Sequence, residues 1–574
     1  MSKIDFTWKI GGEAGFGIAS AGLIFAKTLN RLNYYVYGYL EYPSLIRGGH
    51  NVYEVHVSGE PVYSQERQVD LLVCLNTETF NLHKNELKKD AIIIYDPLKT
   101  QVEESANYKL YAVEVSKIVK ELGGLPVMEN NLFVGISLAL LQADKEAIFA
   151  VVSDIFTDKG EAVISLNEKI IEAGYDFVTA HPFSFSQKIE KLGEKNSYVM
   201  TGNEAISLGA IAADCRLYAS YPMTPASSIL HILAGYSNTS KMVVKHVGDE
   251  IEAINLLVGA SFSGVRCMTG TSGGGFALMN EGFGLAGVTE SAMVLVISQR
   301  PGPATGLPTW TGQADLQFVI HAAQDEFPRI VLAPGDAEEA YNLTQEAFNL
   351  ADKYQTPVFV LSDKYLSEGL YYLQKENLQK FPINRGKLIP NEEIKNQTNF
   401  LRYAVTKDGI SPRSVAGQEN GEYLANSYEH DERGFATEDA IVVKNQKDKR
   451  QQKSLNYLDN DFVGPSFYGN KEAELTIISW GSTKAPVLEA MKNLGDKVNF
   501  MHFHHVYPLN SQLLSKILSQ TKKSLLLEGN GTGQFGLLLR EQTGWQSTHL
   551  MLKYDGRPFY PEEIQAKIKE ILGN

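Results

Sequence analysis

The chain has 574 residues, too many for one ordinary hydrophobic core, so two to four domains are expected. Its composition is globular, 44% hydrophobic and 21% charged, which excludes a largely disordered chain. A formal net charge of −14 argues against nucleic-acid binding, which needs a basic surface to neutralise phosphates.

The amino-terminal residues MSKIDFTWKI lack the basic start, apolar core and small-residue cleavage site of a secretory signal. No apolar run reaches membrane-spanning length, so a cytoplasmic protein without a membrane span is expected. Three cysteines, Cys74, Cys215 and Cys267, lie far apart in apolar runs, which reads as buried reduced thiols. They cannot complete a four-cysteine iron–sulfur site within this chain.

Residues 1–190 read as an α/β unit. A strand near Trp8–Ile10 runs into the glycine turn GGEAGFG and then a helix with apolar residues at helical spacing. The runs Val69–Leu75 and Ala91–Asp96 have the unbroken apolar character of strands covered on both faces. Asn131–Leu141 and Ala162–Ala173 read as helices of the same layers. Strands alternating with helices predict a mostly parallel sheet flanked by helices.

A second α/β unit spans 196–375. It opens on TGNEAISLGAIAADC, where Gly209, Ala210, Ala212 and Ala213 would let a helix approach its neighbour closely. Further strands are expected at Met242–Val247, Ala292–Ser298, Arg329–Ala333 and Pro357–Leu361, with a surface helix over Ala337–Tyr354. From 376 to 470 the pattern dissolves into charged, Asn-rich sequence, read as an extended segment wrapping over another surface. Within it KNQKDKRQQK reads as a solvated basic run. A last α/β unit, 471–574, has strands LTIISW, VNFMHF and SLLLEG with a helix over Ala485–Asn493.

Several residues carry candidate chemistry. Thr224 stands between Pro222 and Pro225 in the turn Tyr221-Pro222-Met223-Thr224-Pro225, where restricted backbone angles suit a hydroxyl aimed at a ligand. In HVGDEIEA, Asp249, Glu250 and Glu252 can be acids opening a helix, favoured by its dipole, or a sheltered functional carboxyl. Arg300, followed by PGPATG with Thr305, offers a planar fork for a carboxylate. GTSGGGFAL, which includes Gly273 and Gly274, suggests a phosphate loop but lacks the P-loop lysine. GGEAGFG is an imperfect dinucleotide fingerprint with no strand-end acid after it. His504 and His505 complete no metal-ligand arrangement and read as one core and one solvated histidine.

Taken together, three groups of motifs resemble the 2-oxoacid:ferredoxin oxidoreductase family over nearly the whole chain. GGEAGFGIASAG with LEYPSLIRGGHNVYEV looks like its gamma module. The segments around Thr224, Glu250, Gly273 and Arg300 look like its alpha module, and GISPRSVAG, SYEHDERGFATE and LLLEGNGTGQFGLLLR continue the likeness. The order is the fused gamma-then-alpha one, most similar to the alpha subunits of 2-oxoglutarate enzymes. The resemblance implies a pyrimidine-facing thiamine-enzyme domain at 196–375 and a transketolase C-terminal-like domain at 471–574.

It also implies a split active site. A separate beta subunit would hold the diphosphate of thiamine diphosphate through Mg2+ and carry a [4Fe-4S] cluster, which agrees with the lack of a GDG…N motif here. An (alpha-beta)2 heterotetramer passing electrons to ferredoxin, with coenzyme A as co-substrate, is the implied assembly. By the same resemblance Glu250 is the carboxyl that bonds the pyrimidine ring, with Glu252 the alternative. Tyr221, Pro222, Thr224, Gly273 and Gly274 lie at the cofactor, and Arg300 and Thr305 contact the 2-oxoacid. Arg47, Gly48 and Gly49 form the RGG turn near coenzyme A or the site entrance. No protein-only metal site is implied. Pyruvate, branched-chain or broad-range 2-oxoacid enzymes, and a non-catalytic assembly subunit, are the other readings.

Overall fold

The computed structural model describes residues 4–45, 48–193 and 196–573. It is an α/β protein built on three sheets, most of whose strand pairings are parallel. In the first sheet Asp5–Glu13 is central. On one side it pairs in parallel with Val69–Cys74, followed by Leu87–Tyr95 and Tyr108–Ala112. On the other side the pairing turns antiparallel, through His50–Ser58 and Tyr35–Glu41.

That sheet does not stop at the first unit. Tyr35–Glu41 pairs with Leu370–Gln374, which pairs with Ser197–Thr201, so two strands from the second unit complete it. Tyrosines weld the seam: Tyr37 meets Tyr371 edge-on at 5.2 Å and Tyr365 at 5.8 Å. Such aromatic cross-strand pairs add about 0.5–1.5 kcal/mol beyond their buried area.

The second sheet runs His505–Tyr507, Ile330–Leu332, Pro357–Asp363, Met293–Gln299, Cys267–Thr271, Leu217–Ser220, Val243–His246. All its pairings are parallel except the one made by His505–Tyr507, which the last unit contributes. Every residue of Met293–Gln299 is buried, as its unbroken apolar run requires of a strand covered on both faces. The helix Gly202–Ala212 opens on a Thr201/Glu204 capping box. A methyl group on Gly209 would stand 2.6 Å from the carbonyl oxygen of Tyr341, so the small residue lets this helix touch the backbone of Ala337–Tyr354. The latter helix is not a surface helix: Leu343, Phe348, Leu350 and Tyr354 are buried in the core.

The third sheet takes its edge strand Ser466–Gly469 from the end of the 376–470 segment and continues through Val498–Phe503, Leu475–Trp480, Lys523–Glu528 and His549–Leu552 of the last unit. Lys484 bridges it to the second unit through Asp336 and Glu339, both at 2.5 Å. His505 is buried with its Nδ1 on the Tyr457 hydroxyl at 2.6 Å, and His504 is half-buried, so neither histidine is simply solvated.

The segment 376–470 wraps over the second unit of its own chain. Arg413 and Arg266 both grip the buried Asp352, at 2.9 and 2.7 Å. The basic run lies in a helix, Ala440–Asn460, and only one face of it is solvated. Lys449 and Lys453 are buried and close on Glu290 at 2.5 Å each. Composition hides this, because a buried lysine and an exposed one look alike until their carboxylate partner is placed.

Candidate functional site

Parallel strands deliver their carboxyl ends to one edge, and in open α/β sheets that edge is where ligands bind. In the second sheet the chain leaves Leu217–Ser220 into Tyr221–Pro225, and Val243–His246 into the loop before Glu250. It leaves Cys267–Thr271 into the glycine triplet, and Met293–Gln299 into Arg300. The strand order crosses over here: Val243–His246 lies on one side of Leu217–Ser220 and Cys267–Thr271 on the other. Thr224, Glu250, Gly273–Gly275 and Arg300 therefore gather at one crossover.

The three acids at the start of the Glu250–Phe262 helix separate cleanly. The Asp249 side chain accepts from the Glu252 N–H at 2.8 Å, and Glu252 Oε2 accepts from the Gly248 N–H at 2.7 Å. That reciprocal cap uses both neighbours in satisfying the helix start. Glu250 is different. It is 3% exposed, and its Oε1 is closed off without a hydrogen-bond partner. Burial pushes its carboxyl above the ordinary range, its own backbone N–H opposes this, and the Asp249 charge adds to it.

Opposite Glu250 stands the start of the Gly273–Val288 helix. A methyl group on Gly275 would lie 2.5 Å from Glu250 Oε1 and 2.1 Å from Thr271 Oγ1. Glycine is needed there to leave the carboxyl room. Thr269 Oγ1, Thr271 Oγ1 and Ser272 Oγ are likewise buried without partners. Leaving a buried polar group unpaired costs about 1–3 kcal/mol, so such a cluster is expected where a ligand completes it. The idle acceptor beside a side-chain-free backbone suits the polar edge of a flat heterocycle such as an aminopyrimidine.

Arg300 Nη1 donates to the carbonyl oxygen of Thr224 at 2.8 Å, tying two of the predicted residues together. Burial lowers the pKa of Arg300 and the Asp315 charge opposes the change. Tyr221 is 41% exposed, with its ring 6.4 Å from that of His246, and Pro222 is half-buried beside it. Thr305 is exposed on the loop after Arg300. That loop lies over the triplet: a methyl on Gly274 would stand 3.7 Å from the carbonyl oxygen of Ala304.

Asp315 also belongs to this edge. A methyl on Gly273 would be 2.5 Å from its Oδ2. Motif spacing does not single it out; the one signal is that it is the sole acid between Arg300 and Asp325.

The loop after Tyr35–Glu41, which leads on to Gly48 and Gly49, starts near the same edge. Lys364 bonds the carbonyl oxygen of Leu40, and the Tyr42 hydroxyl donates to Glu368 at 2.9 Å. This anchors the loop to the Lys364–Glu368 helix, which follows directly on the strand Pro357–Asp363. Gly48 and Gly49 have φ of 73° and 75°, a left-handed conformation that disfavours side chains. Arg47 lies outside the described residues. From His50, just after the turn, runs a chain of titratable groups, buried at Lys9, Glu54 and His83 and half-buried at His50 and Glu86: His50 to His83 at 2.8 Å, His83 to Glu86 at 2.7 Å, and Lys9 to Glu86 and Glu54 at 2.7 Å each. In the last unit, Glu528 accepts from the backbone N–H groups of Phe535 and Gly536, and Gly529 donates to Gln313, so that loop seals the contact with the second unit.

Comparison with known proteins identifies the family. Residues 208–449 match the thiamine-diphosphate-binding domain of pyruvate flavodoxin/ferredoxin oxidoreductases, and residues 7–177 match the pyruvate ferredoxin/flavodoxin oxidoreductase domain. The alpha subunit of 2-oxoacid:ferredoxin oxidoreductase 2 from Aeropyrum pernix is 32% identical, over 99% of this chain and 98% of its own. The KorA subunit of 2-oxoglutarate synthase from Methanocaldococcus jannaschii is 32% identical, over 64% of this chain and 98% of its own. The solved 2-oxoglutarate:ferredoxin oxidoreductase from Magnetococcus marinus, with 2-oxoglutarate, coenzyme A and succinyl-CoA bound, superposes with a TM-score of 0.91. It is 31% identical, over 99% of this chain and 100% of that one. With identity of this level sustained from end to end, the chain belongs to the 2-oxoacid:ferredoxin oxidoreductase family.

Proposed function

We propose that this chain is the larger subunit of a 2-oxoglutarate:ferredoxin oxidoreductase. It would convert 2-oxoglutarate and coenzyme A to succinyl-CoA and carbon dioxide and pass the electrons to ferredoxin. The observation that carries the catalytic reading is Glu250, a buried carboxyl with an idle oxygen facing a glycine triplet at a sheet crossover. The substrate choice is supported by the end-to-end likeness to an enzyme solved with 2-oxoglutarate and succinyl-CoA bound. A broad-range or pyruvate enzyme is the second reading, because relatives of equal identity carry only the 2-oxoacid name.

Thiamine diphosphate, when bound, supplies the nucleophilic carbon and the electron sink that decarboxylation of a 2-oxoacid needs. The chain's own residues have the following parts. Glu250 shares a proton with the pyrimidine edge, a role that its desolvation favours by keeping the protonated form accessible. Gly273, Gly274 and Gly275 leave space for the ring to approach. Arg300 grips the substrate carboxylate with its fork, held in aim by the Thr224 carbonyl, and Thr224 and Thr305 supply hydroxyls at the same mouth. Tyr221 and Pro222 wall one side. Gly48 and Gly49 would stand at the entrance, where coenzyme A would arrive; the matching expectation for Arg47 rests on sequence alone.

A beta subunit completes the site in this reading, bringing Mg2+ for the diphosphate and the [4Fe-4S] cluster. Val243, Ile251 and Leu278, on the elements that carry the site, are 62%, 50% and 53% exposed, an apolar set suited to cover by a partner. Among the described residues no helix is long and apolar enough to cross a membrane, and a cytoplasmic (alpha-beta)2 assembly is proposed. The test is anaerobic isolation through a tag on this chain. A co-purifying partner with bound thiamine and iron, and dye reduction that requires both 2-oxoacid and coenzyme A, are expected. An isolated chain, or a complex without that activity although cofactor is bound, would favour an assembly protein.

A further inference from the structure

The proposed site holds a second carboxyl that none of these roles uses. Asp315 precedes the short Leu316–His321 helix, and its side chain does not cap that helix. Its backbone N–H donates to Gln299 Oε1 at 3.0 Å, which pins it to the end of the strand that delivers Arg300. Its Oδ2 is closed off from solvent and has no hydrogen-bond partner. The carboxyl rests against Gly273, 2.5 and 2.6 Å from where a Cβ would stand, on the same helix start whose Gly275 meets Glu250.

Arg300 is the charged group that faces Asp315. Among the described residues no ion pair joins the two, so the guanidinium keeps its bond to Thr224 and its fork stays open. The other elements packed against Asp315 bring neutral groups. The triplet helix brings glycines and Ser272. The last unit brings the Gln534 amide, which bonds the Ala314 carbonyl oxygen and the Gln317 N–H at 2.8 and 3.0 Å. Glu250, which faces Gly275 two residues further along the triplet, is a second carboxyl of the half-site.

With the pocket empty, one cation balances one carboxylate. A 2-oxoacid docking on Arg300 adds a negative charge that the same cation cannot also neutralise. Two carboxylates in a half-buried site raise each other's pKa, and the group already favoured in its neutral form takes the proton. Burial has pushed Asp315 up to about 6, against the pull of Arg300. We propose that Asp315 is a positioning residue for the 2-oxoacid, taking up one proton as the substrate binds, so that the Arg300 charge answers the substrate carboxylate alone. This rests on the 2-oxoacid reading of the site.

The sign follows from linkage. The bound state holds the proton more tightly than the free state. Affinity is therefore full below about pH 6 and falls as pH rises through it, by up to about tenfold per pH unit.

The experiment uses the complex isolated through this chain. KM for 2-oxoglutarate is measured from about pH 5.5 to about pH 8.5, and is expected to rise on this slope above pH 6. In Asp315→Asn that rise disappears, whereas loss of a merely structural group would move stability or kcat and leave the KM slope in place. Calorimetry on the wild type with N-oxalylglycine, a 2-oxoglutarate mimic, in buffers of different ionisation enthalpy counts protons without needing turnover or the variant. Uptake approaching one proton per site at about pH 7 is expected. Turnover with a KM independent of pH, or analogue binding with no proton uptake, overturns the role of Asp315 alone. Neither turnover nor analogue binding overturns this role together with the reading of the site.

Discussion

Replacing Glu250 by glutamine should separate stability from activity. The side chain is 3% exposed with an idle Oε1, and among the described residues no cation pairs with it. An unsatisfied buried group of this kind costs about 1–3 kcal/mol, more when charged, so the neutral isostere should leave the melting temperature unchanged or raise it. The pH dependence has the same origin. Burial raises the Glu250 pKa, so its contribution is present at low pH and is lost as pH rises through the folded value. The glutamine variant removes that decline.

Turnover should move the other way. Loss of a proton-sharing group typically costs about a hundred- to ten-thousandfold in rate, or about 2.7–5.5 kcal/mol of barrier. The assays are thermal unfolding and coenzyme-A-dependent dye reduction on the same preparation, with thiamine content as a third reading. A variant that is fully active refutes the assigned role. A variant that unfolds early and loses activity in step makes Glu250 a structural residue.

Four further outcomes follow from the geometry. Arg300→Lys loses the fork and the bond to Thr224; kcat/KM for the 2-oxoacid should fall about ten- to 150-fold, worth about 1.5–3 kcal/mol, and unchanged kinetics would remove Arg300 from the site. Gly275→Ala puts a methyl 2.5 Å from Glu250 Oε1, so it should cost about 1–3 kcal/mol of stability and lower the retained thiamine; a variant with wild-type thiamine content would contradict the cradle. Glu290→Ala strands Lys449 and Lys453 and should destabilise by about 3–5 kcal/mol in urea unfolding, whereas replacing all three with apolar residues should recover most of it. His56 is held at about 9 because Asp5, Glu66 and Glu489 outweigh the opposing effect of burial; its stabilisation, full below about pH 6.5, should fade as pH rises to 9, and His56→Gln should abolish that slope in unfolding curves.

Much of the local structure was legible because it depends on neighbours in sequence. The strands at Leu475–Trp480 and Val498–Phe503 and the helix Ala337–Tyr354 show in apolar runs and helical spacing. The choice between Glu250 and Glu252 was half legible. Both open a helix, and only the cap made by Asp249 and Glu252 shows which acid is left free. Long-range pairing was not legible. Nothing in Ser197–Thr201 or Leu370–Gln374 announces that they extend the first unit's sheet, because a strand's partner lies outside its own pattern. Asp315 stayed hidden for a related reason: its meaning comes from Gly273 and Arg300, distant in sequence and adjacent only once the sheet has formed.

The central claim is tested most directly by kcat/KM for 2-oxoglutarate, pyruvate and a branched 2-oxoacid. These would be measured on the anaerobically isolated complex with coenzyme A and ferredoxin. A clear preference for 2-oxoglutarate is predicted. Comparable values for all three would make it a broad-range enzyme, and a preference for pyruvate would contradict the assigned substrate.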